Sequence, residues 1–297
     1  MRKNLRGLLR LTHFNQYAWF VVITTILGIT SAKGHFTWQF AAVLAANFLA
    51  VGFAFMVNDI ENAPDDALAP TKVNQNPIAS GLLTPQIARF GAFTTALLAI
   101  FLFALLGWLP LLFGLLCLVL GYLYSARAIQ LKAIAFWNLI TQCLMLAGLQ
   151  FLTGYFSFQN HLIRQWYWPF IFVLTISIYA ELRYGTFKIR SYPDRAINPT
   201  DAKTSHALVL IVLLLGLFSG YISFISLNLI PLWVILILLV LTALFLIPLI
   251  VRSRNRENRS AVQTSLLRPL ERAAAIALLL QYLLPWLNQV VNMGIFK

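Results

Sequence analysis

Residues 37–66 read TWQFAAVLAANFLAVGFAFMVNDIENAPDD. The first part, 37–57, carries no charged side chain, and a run of that length is enough to cross the roughly 30 Å hydrocarbon core of a bilayer as a helix. The second part places four carboxylates, Asp59, Glu61, Asp65 and Asp66, within eight positions. Buried apolar helix and crowded acids meet at one point.

Similar apolar runs recur at 17–32, 87–107, 108–125, 134–157, 166–187, 206–226, 228–251 and 271–293. The whole chain of 297 residues is 60% hydrophobic and 10% charged, with a mean hydropathy of +0.79. Soluble domains carry roughly 45–50% apolar and about 25% charged residues, so this composition excludes one. Backbone amides in hydrocarbon find no water, which makes each run helical, and the alternation of a β-barrel is absent. The fold class expected is all-α: a polytopic membrane bundle of about nine transmembrane helices forming a single membrane-embedded domain, 1–297, with motif loops at about 58–86 and 188–205.

The 22 Lys+Arg against 9 Asp+Glu give a net charge of +13. In a membrane protein that excess sets topology and meets anionic headgroups, so a nucleic-acid partner is not expected. With the N-terminus in the cytoplasm, nineteen of the cations fall inside and only Lys33, Arg164 and Lys297 outside. The basic start followed by an apolar run then reads as a first span, not as a cleavable signal peptide, and the expected location is a bacterial or archaeal plasma membrane. Cys117 and Cys143 lie inside apolar runs and point to neither a disulfide framework nor a metal site. The four histidines show no metal spacing, and interfacial hydrogen bonding is their expected role.

Two carboxylates about 5 Å apart repel by roughly 3 kcal/mol at an effective dielectric near 20, so the 58–66 cluster calls for a cation. Mg²⁺ fits, because a hard ion takes oxygen ligands and commonly joins one or two carboxylates to a phosphate; a solvated acidic loop is the alternative. Asp59 and Asn62, at i and i+3, share a helix face. Pro64 disfavours helix at Ala63, which predicts a turn at Asp65 and Asp66. The second acid-bearing connection holds Glu181, Asp194 and Asp201 among Arg183, Lys188, Arg190, Arg195 and Lys203. Glu181 is either an ion-pair partner of Arg183 or Lys188 or part of a site facing the first loop. Asp194 lies outside the span, level with the first cluster, and is the better ligand candidate. Tyr122, Tyr124, Trp137 and Tyr179 lie at a depth where ring faces can hold a cation, while packing against lipid is the ordinary role of most of the aromatics.

At these two connections the chain resembles the UbiA superfamily of intramembrane prenyltransferases. That family carries Asn-Asp-x-x-Asp-x-x-x-Asp followed by Arg/Asn-Pro-x-x-Ser-Gly. This chain has Asn58, Asp59, Asn62 and Asp66, then Asn76-Pro77-Ile78-Ala79-Ser80-Gly81. Tyr122-x-Tyr124-Ser125 with Arg127 and Lys132 is similar to the family's Tyr-Ser…Leu-Lys segment.

The resemblance implies Mg²⁺-dependent transfer of a polyprenyl group from a prenyl diphosphate to a small hydrophobic or aromatic acceptor. Asn58, Asp59, Asn62, Asp66 and Asp194 would be metal ligands, with Asp59, Asp66 and Asp194 essential to catalysis. Lys72, Arg127, Lys132, Lys188, Arg190 and Arg195 would neutralise diphosphate. Asn62 stands where the family usually has Asp, and Arg190 or Ser191 stands at the first acid of the second motif. Asp201 would then replace that carboxylate, or Arg190 would contact phosphate directly. The rival expectation is a catalytically degenerate isoprenoid-lipid binding or transport protein on the same scaffold.

Overall fold

The computed structural model describes residues 2–163, 165–184, 199–252 and 268–292, which are helical apart from short connections and contain no strand. A short helix, α1 (Arg2–Leu11), leads into α2 (Phe14–Ser31), α3 (Trp38–Ala67), α4 (Pro85–Leu106) and α5 (Trp108–Ser125). A single 3₁₀ turn, Leu131–Ala133, precedes one rod built of α6 (Ala135–Cys143), a π-helical turn (Leu144–Gly148) and α7 (Leu149–Phe156). Then follow α8 (Tyr167–Tyr184), α9 (Pro199–Tyr221) ending in a second π turn, α10 (Leu232–Arg252) and α11 (Arg268–Asn292). Over the described residues, each expected apolar run coincides largely with one of these rods. Among the described residues six are long and apolar enough to cross a membrane: α3, α4, α5, Phe136–Phe156, Ala207–Ser226 and Arg268–Gln289. This count covers the described residues only and does not settle the expected number of about nine; α8 and α10 add the apolar stretches Tyr167–Leu182 and Leu232–Leu241.

The bundle is held by close approach of small residues, as helices in lipid require where apolar burial gives no preference. α2 and α7 touch backbone to backbone. A Cβ added to Gly28 would collide with the Phe151 carbonyl oxygen, and one added to Gly154 would lie 2.5 Å from the Thr25 oxygen. On α3, Ala46, Ala50 and Ala54 form a buried stripe, and Gly121 of α5 sits against Ala54. Polar bonds add to this packing. Asn47 donates to Thr25 Oγ1 (2.8 Å) and accepts from Thr153 Oγ1 (2.8 Å). At the π turn the irregular ladder leaves the Met145 carbonyl to accept from Gln150 Nε2 at 3.0 Å. Apolar side chains such as Phe90, Phe101, Leu214 and Leu217 point outward, where lipid solvates them.

α3 has 30 residues and so a length of about 45 Å, longer than the roughly 30 Å hydrocarbon layer. Its end is carried out of the apolar region. The turn expected at Asp65 and Asp66 is not found: the helix runs through Pro64 to Ala67, so the first part of the expected 58–86 loop is helical. Pro64 deprives the Ile60 carbonyl of its partner, and the two carbonyls beside it are bonded from outside. Asn76 Nδ2 donates to the Asp59 oxygen at 2.8 Å and Arg127 Nε to the Glu61 oxygen at 3.0 Å. External donors thus offset what proline costs. α9 starts at Pro199, so the last part of the expected 188–205 loop is helical as well.

Gly28→Ala is expected to destabilise the bundle by about 1–3 kcal/mol, because the added methyl has only backbone to displace. The check is the thermal unfolding midpoint of the protein in lipid nanodiscs, and an unchanged midpoint contradicts the contact.

Candidate active site at the end of α3

Continuation of the helix past Pro64 sorts the motif by face. Asp59, Asn62 and Asp66, at i, i+3 and i+7, share one side with Asn58 beside them, and Glu61 and Asp65 lie on the next. Each side has its own cation. Lys132, on the 3₁₀ turn after α5, places Nζ 2.9 Å from Asn58 Oδ1 and 2.7 Å from Asn62 Oδ1. Asn58 Oδ1 also accepts from Asn62 Nδ2 (3.1 Å) and from the fully buried Ser125 (3.2 Å). Burial pushes the Lys132 ammonium below the ordinary lysine range, and Asp66, Glu61 and Asp65 oppose that shift. Arg127 serves the other side: its backbone N–H donates to Glu61 Oε2 (3.3 Å) and Nη2 to Asp65 Oδ2 (3.3 Å). Asp65 is 77% exposed, so this second pairing is a solvated rim.

Asp59 is 6% exposed and Asn76 2% exposed, and these two organise the inner side. Asn76 Nδ2 reaches Asp66 Oδ2 at 3.0 Å as well as the Asp59 carbonyl, and its Oδ1 accepts from Ile78 N at 2.9 Å. The Asn76 side chain therefore caps its own turn and fixes an acid ten residues earlier. Gly81, at φ 69°, completes that turn before Thr84 caps α4 through Ile87 N. Lys72 Nζ is 4.0 Å from Asp66 Oδ1 and 60% exposed, a loose contact at the mouth.

His13, expected only as an interfacial residue, sits on the acid cluster. Its Nε2 lies 2.8 Å from Asp59 Oδ2, while Gln16 Nε2 lies 2.9 Å from its Nδ1. The Gln16 amide donates to Nδ1, which leaves the ring proton on Nε2, directed at Asp59. The polar break Thr12-His13-Phe14-Asn15-Gln16 between a basic helix and an apolar one was the available signal, but nothing local connects it to a residue 46 positions on. A cleft of about 420 Å³ opens among α1, α2, α3 and α4, lined by Leu9, Thr12, Tyr17, Phe48, Leu49 and Gly52 among others. Gly52, seven residues before Asp59, lies on the same side of α3 about two turns deeper.

Of the expected site residues, the structure brings together Asn58, Asp59, Asn62, Asp66, Lys72, Arg127 and Lys132. Lys188, Arg190 and Asp194 lie outside the described residues. Tyr124 donates to Asn138 Oδ1 at 2.8 Å, whereas Tyr122 and Trp137 are about half exposed. Among the described residues no group of three His, Cys, Asp or Glu converges as a metal site. The oxygens of Asn58, Asp59, Asn62 and Asp66 nevertheless suit a hard divalent ion that keeps water or phosphate as its other ligands. An ammonium already bridges two of them.

The sequence model of the UbiA prenyltransferase family matches residues 21–268. A solved UbiA homologue from Archaeoglobus fulgidus bound to DMAPP and Mg²⁺ is similar with a TM-score of 0.67 at 16% identity, over 93% of this chain and 98% of that one. The GPP- and Mg²⁺-bound form from the same organism gives 0.66 at 17% identity, over 93% and 98%. A structure described for digeranylgeranylglyceryl phosphate synthase in membranes gives 0.63 at 18% identity, over 95% and 99%. At these identities the likeness establishes a shared fold. No curated protein matches this sequence.

Asn76→Ala removes the side-chain donor that reaches both the Asp66 carboxylate and the Asp59 carbonyl and is expected to cost about 1–3 kcal/mol. Faster amide hydrogen exchange across residues 69–83 is the expected readout; unchanged protection there contradicts the bridging role.

Proposed function

The chain belongs to the UbiA prenyltransferase family, and on that premise we propose that it transfers a polyprenyl group from a prenyl diphosphate to a small hydrophobic or aromatic acceptor, with Mg²⁺ required. The observation that carries this reading is the helical array of Asn58, Asp59, Asn62 and Asp66 where α3 leaves the apolar bundle, with Lys132 bridging Asn58 and Asn62 and with Asn76 on Asp66. Together with Asp194 these four would hold the ion, which when bound neutralises diphosphate oxygens as the allylic C–O bond weakens.

The chain's own residues account for the rest. Lys132 is half-buried, positioned by two amide oxygens, and is the cation best placed to receive charge building on a leaving diphosphate. Lys72 stands at the solvent side of Asp66, and Lys188 and Arg190 would join from the second connection. Arg127 binds Glu61 and Asp65, so it contributes to diphosphate binding by holding the rim and by its field. His13 keeps Asp59 oriented toward the α1 side, and Asn76 holds Asp66. The apolar wall of Tyr17, Phe48 and Leu49 would offer an isoprenoid chain an apolar surface. The location proposed is a bacterial or archaeal plasma membrane, multi-pass, with the N-terminus and the acid-bearing end cytoplasmic.

The test uses purified protein in nanodiscs with prenyl diphosphates of several lengths, Mg²⁺ and candidate acceptors, following diphosphate release and the mass of prenylated lipid. Asp59→Ala and Asp66→Ala are each expected to lower transfer at least about 100-fold, and chelation of Mg²⁺ to abolish it. Unchanged turnover in both variants would remove these ligands from the mechanism. Arg190 or Ser191 at an acid position of the second motif favours the second reading, an isoprenoid-lipid binding protein. Mg²⁺-dependent binding of prenyl diphosphate with no diphosphate released for any acceptor would establish that reading instead.

A further inference from the structure

We propose that α1 is an interfacial strap that seats in a leaflet of anionic phospholipid on the acid-bearing side and, while seated, holds the Asn76 loop against the site. The ten residues of α1, RKNLRGLLRL, contain four cations and no acid. At 100° per residue they divide into three sectors. Gly7, Leu8 and Leu11 face the protein: Leu11 is 0% exposed and packs with Met56, Leu83, Ala88 and Ala92, while Gly7 lies against Leu83 and Leu8 against Gly91. Leu5 and Leu9, one turn apart, are 60% and 65% exposed. Arg6 and Arg10 follow on the third sector and are exposed, with Arg2 one turn before Arg6.

A helix docked on protein by one sector, with exposed leucines on the second and arginines on the third, matches a surface that is apolar below and anionic above. The bilayer supplies that surface at the point where α2 enters it. Each Lys or Arg near an anionic leaflet adds to the attraction, so charge complementarity selects anionic lipid over a zwitterionic surface. The strap is tied to the site at two points. Arg10 Nη2 donates to the Asn74 carbonyl at 2.6 Å, two residues before Asn76, and the chain leaves α1 through His13, which bonds Asp59. α1 and His13 both precede residues 21–268, the part matched by the family model.

The experiment uses the full chain carrying Leu9→Cys with a nitroxide label, in nanodiscs of phosphatidylcholine alone or mixed with phosphatidylglycerol. Cys117 and Cys143 are buried, so the new thiol is the reactive one. With phosphatidylglycerol the label is expected at acyl depth, relaxed by oxygen and shielded from an aqueous nickel chelate. Arg6→Glu is expected to lower the seated-to-unseated ratio at least about tenfold, Arg6→Lys to preserve it, and unseating to accelerate hydrogen exchange at 69–83. A label exposed to water in both lipids overturns the proposal. So does a depth indifferent to phosphatidylglycerol and to Arg6→Glu, or dipolar coupling between labels that reveals a second copy on this face. None of these readouts depends on turnover, so absence of prenyl transfer in every lipid defeats the proposed reaction and leaves the strap standing.

Discussion

One helix that outruns the bilayer sets the terms for the rest of the structure. Hydrocarbon admits no unpaired backbone amide and makes a charged side chain expensive, so chemistry on ionic substrates must wait until the chain emerges. α3 emerges without ending. Its last turns keep helical spacing through Pro64, and that regularity arrays four oxygen-bearing side chains on one side and two carboxylates on the next. A flexible loop would have had to order the same residues separately, at about 1–2 kcal/mol of backbone entropy for each.

The acids are then tolerated because each is answered. Lys132 answers the inner side, Arg127 the rim, and His13 and Asn76 supply directional bonds to Asp59 and Asp66. These partners come from four separate segments: the break after α1, the loop before α4, the end of α5 and the 3₁₀ turn beyond it. The site is consequently a property of the assembled bundle. It also explains how a proline survives so near the chemistry, since Asn76 and Arg127 bond the carbonyls on either side of the one it orphans.

What could be read before folding follows the same physics. Apolar runs were legible because a bilayer imposes length and composition locally, and the 58–66 cluster was legible because its charges are adjacent in sequence. The path of the chain at Pro64 was misread: the propensity rule is local, and the donors that bond the carbonyls of Asp59 and Glu61 lie 17 and 66 residues beyond them. His13 was unreadable for the same reason. Six of the expected spans meet length and composition among the described residues, because the bilayer's demand is met residue by residue along each run.

Interior polar residues have a consequence for biogenesis. The Phe136–Phe156 rod has a mean hydropathy of 1.4, against 2.6 for Ala207–Ser226, yet 67% of its window is buried. Thr153 and the Gln150 carbonyl find their partner in Asn47 of α3, and the Gln150 amide donates to Met145 of the π turn and Cys117 of α5, so this rod is a weak recruit to lipid by itself. The earlier spans act as its receptor in the membrane, and the order of synthesis thereby becomes an order of assembly in which late insertion depends on what the ribosome delivered first.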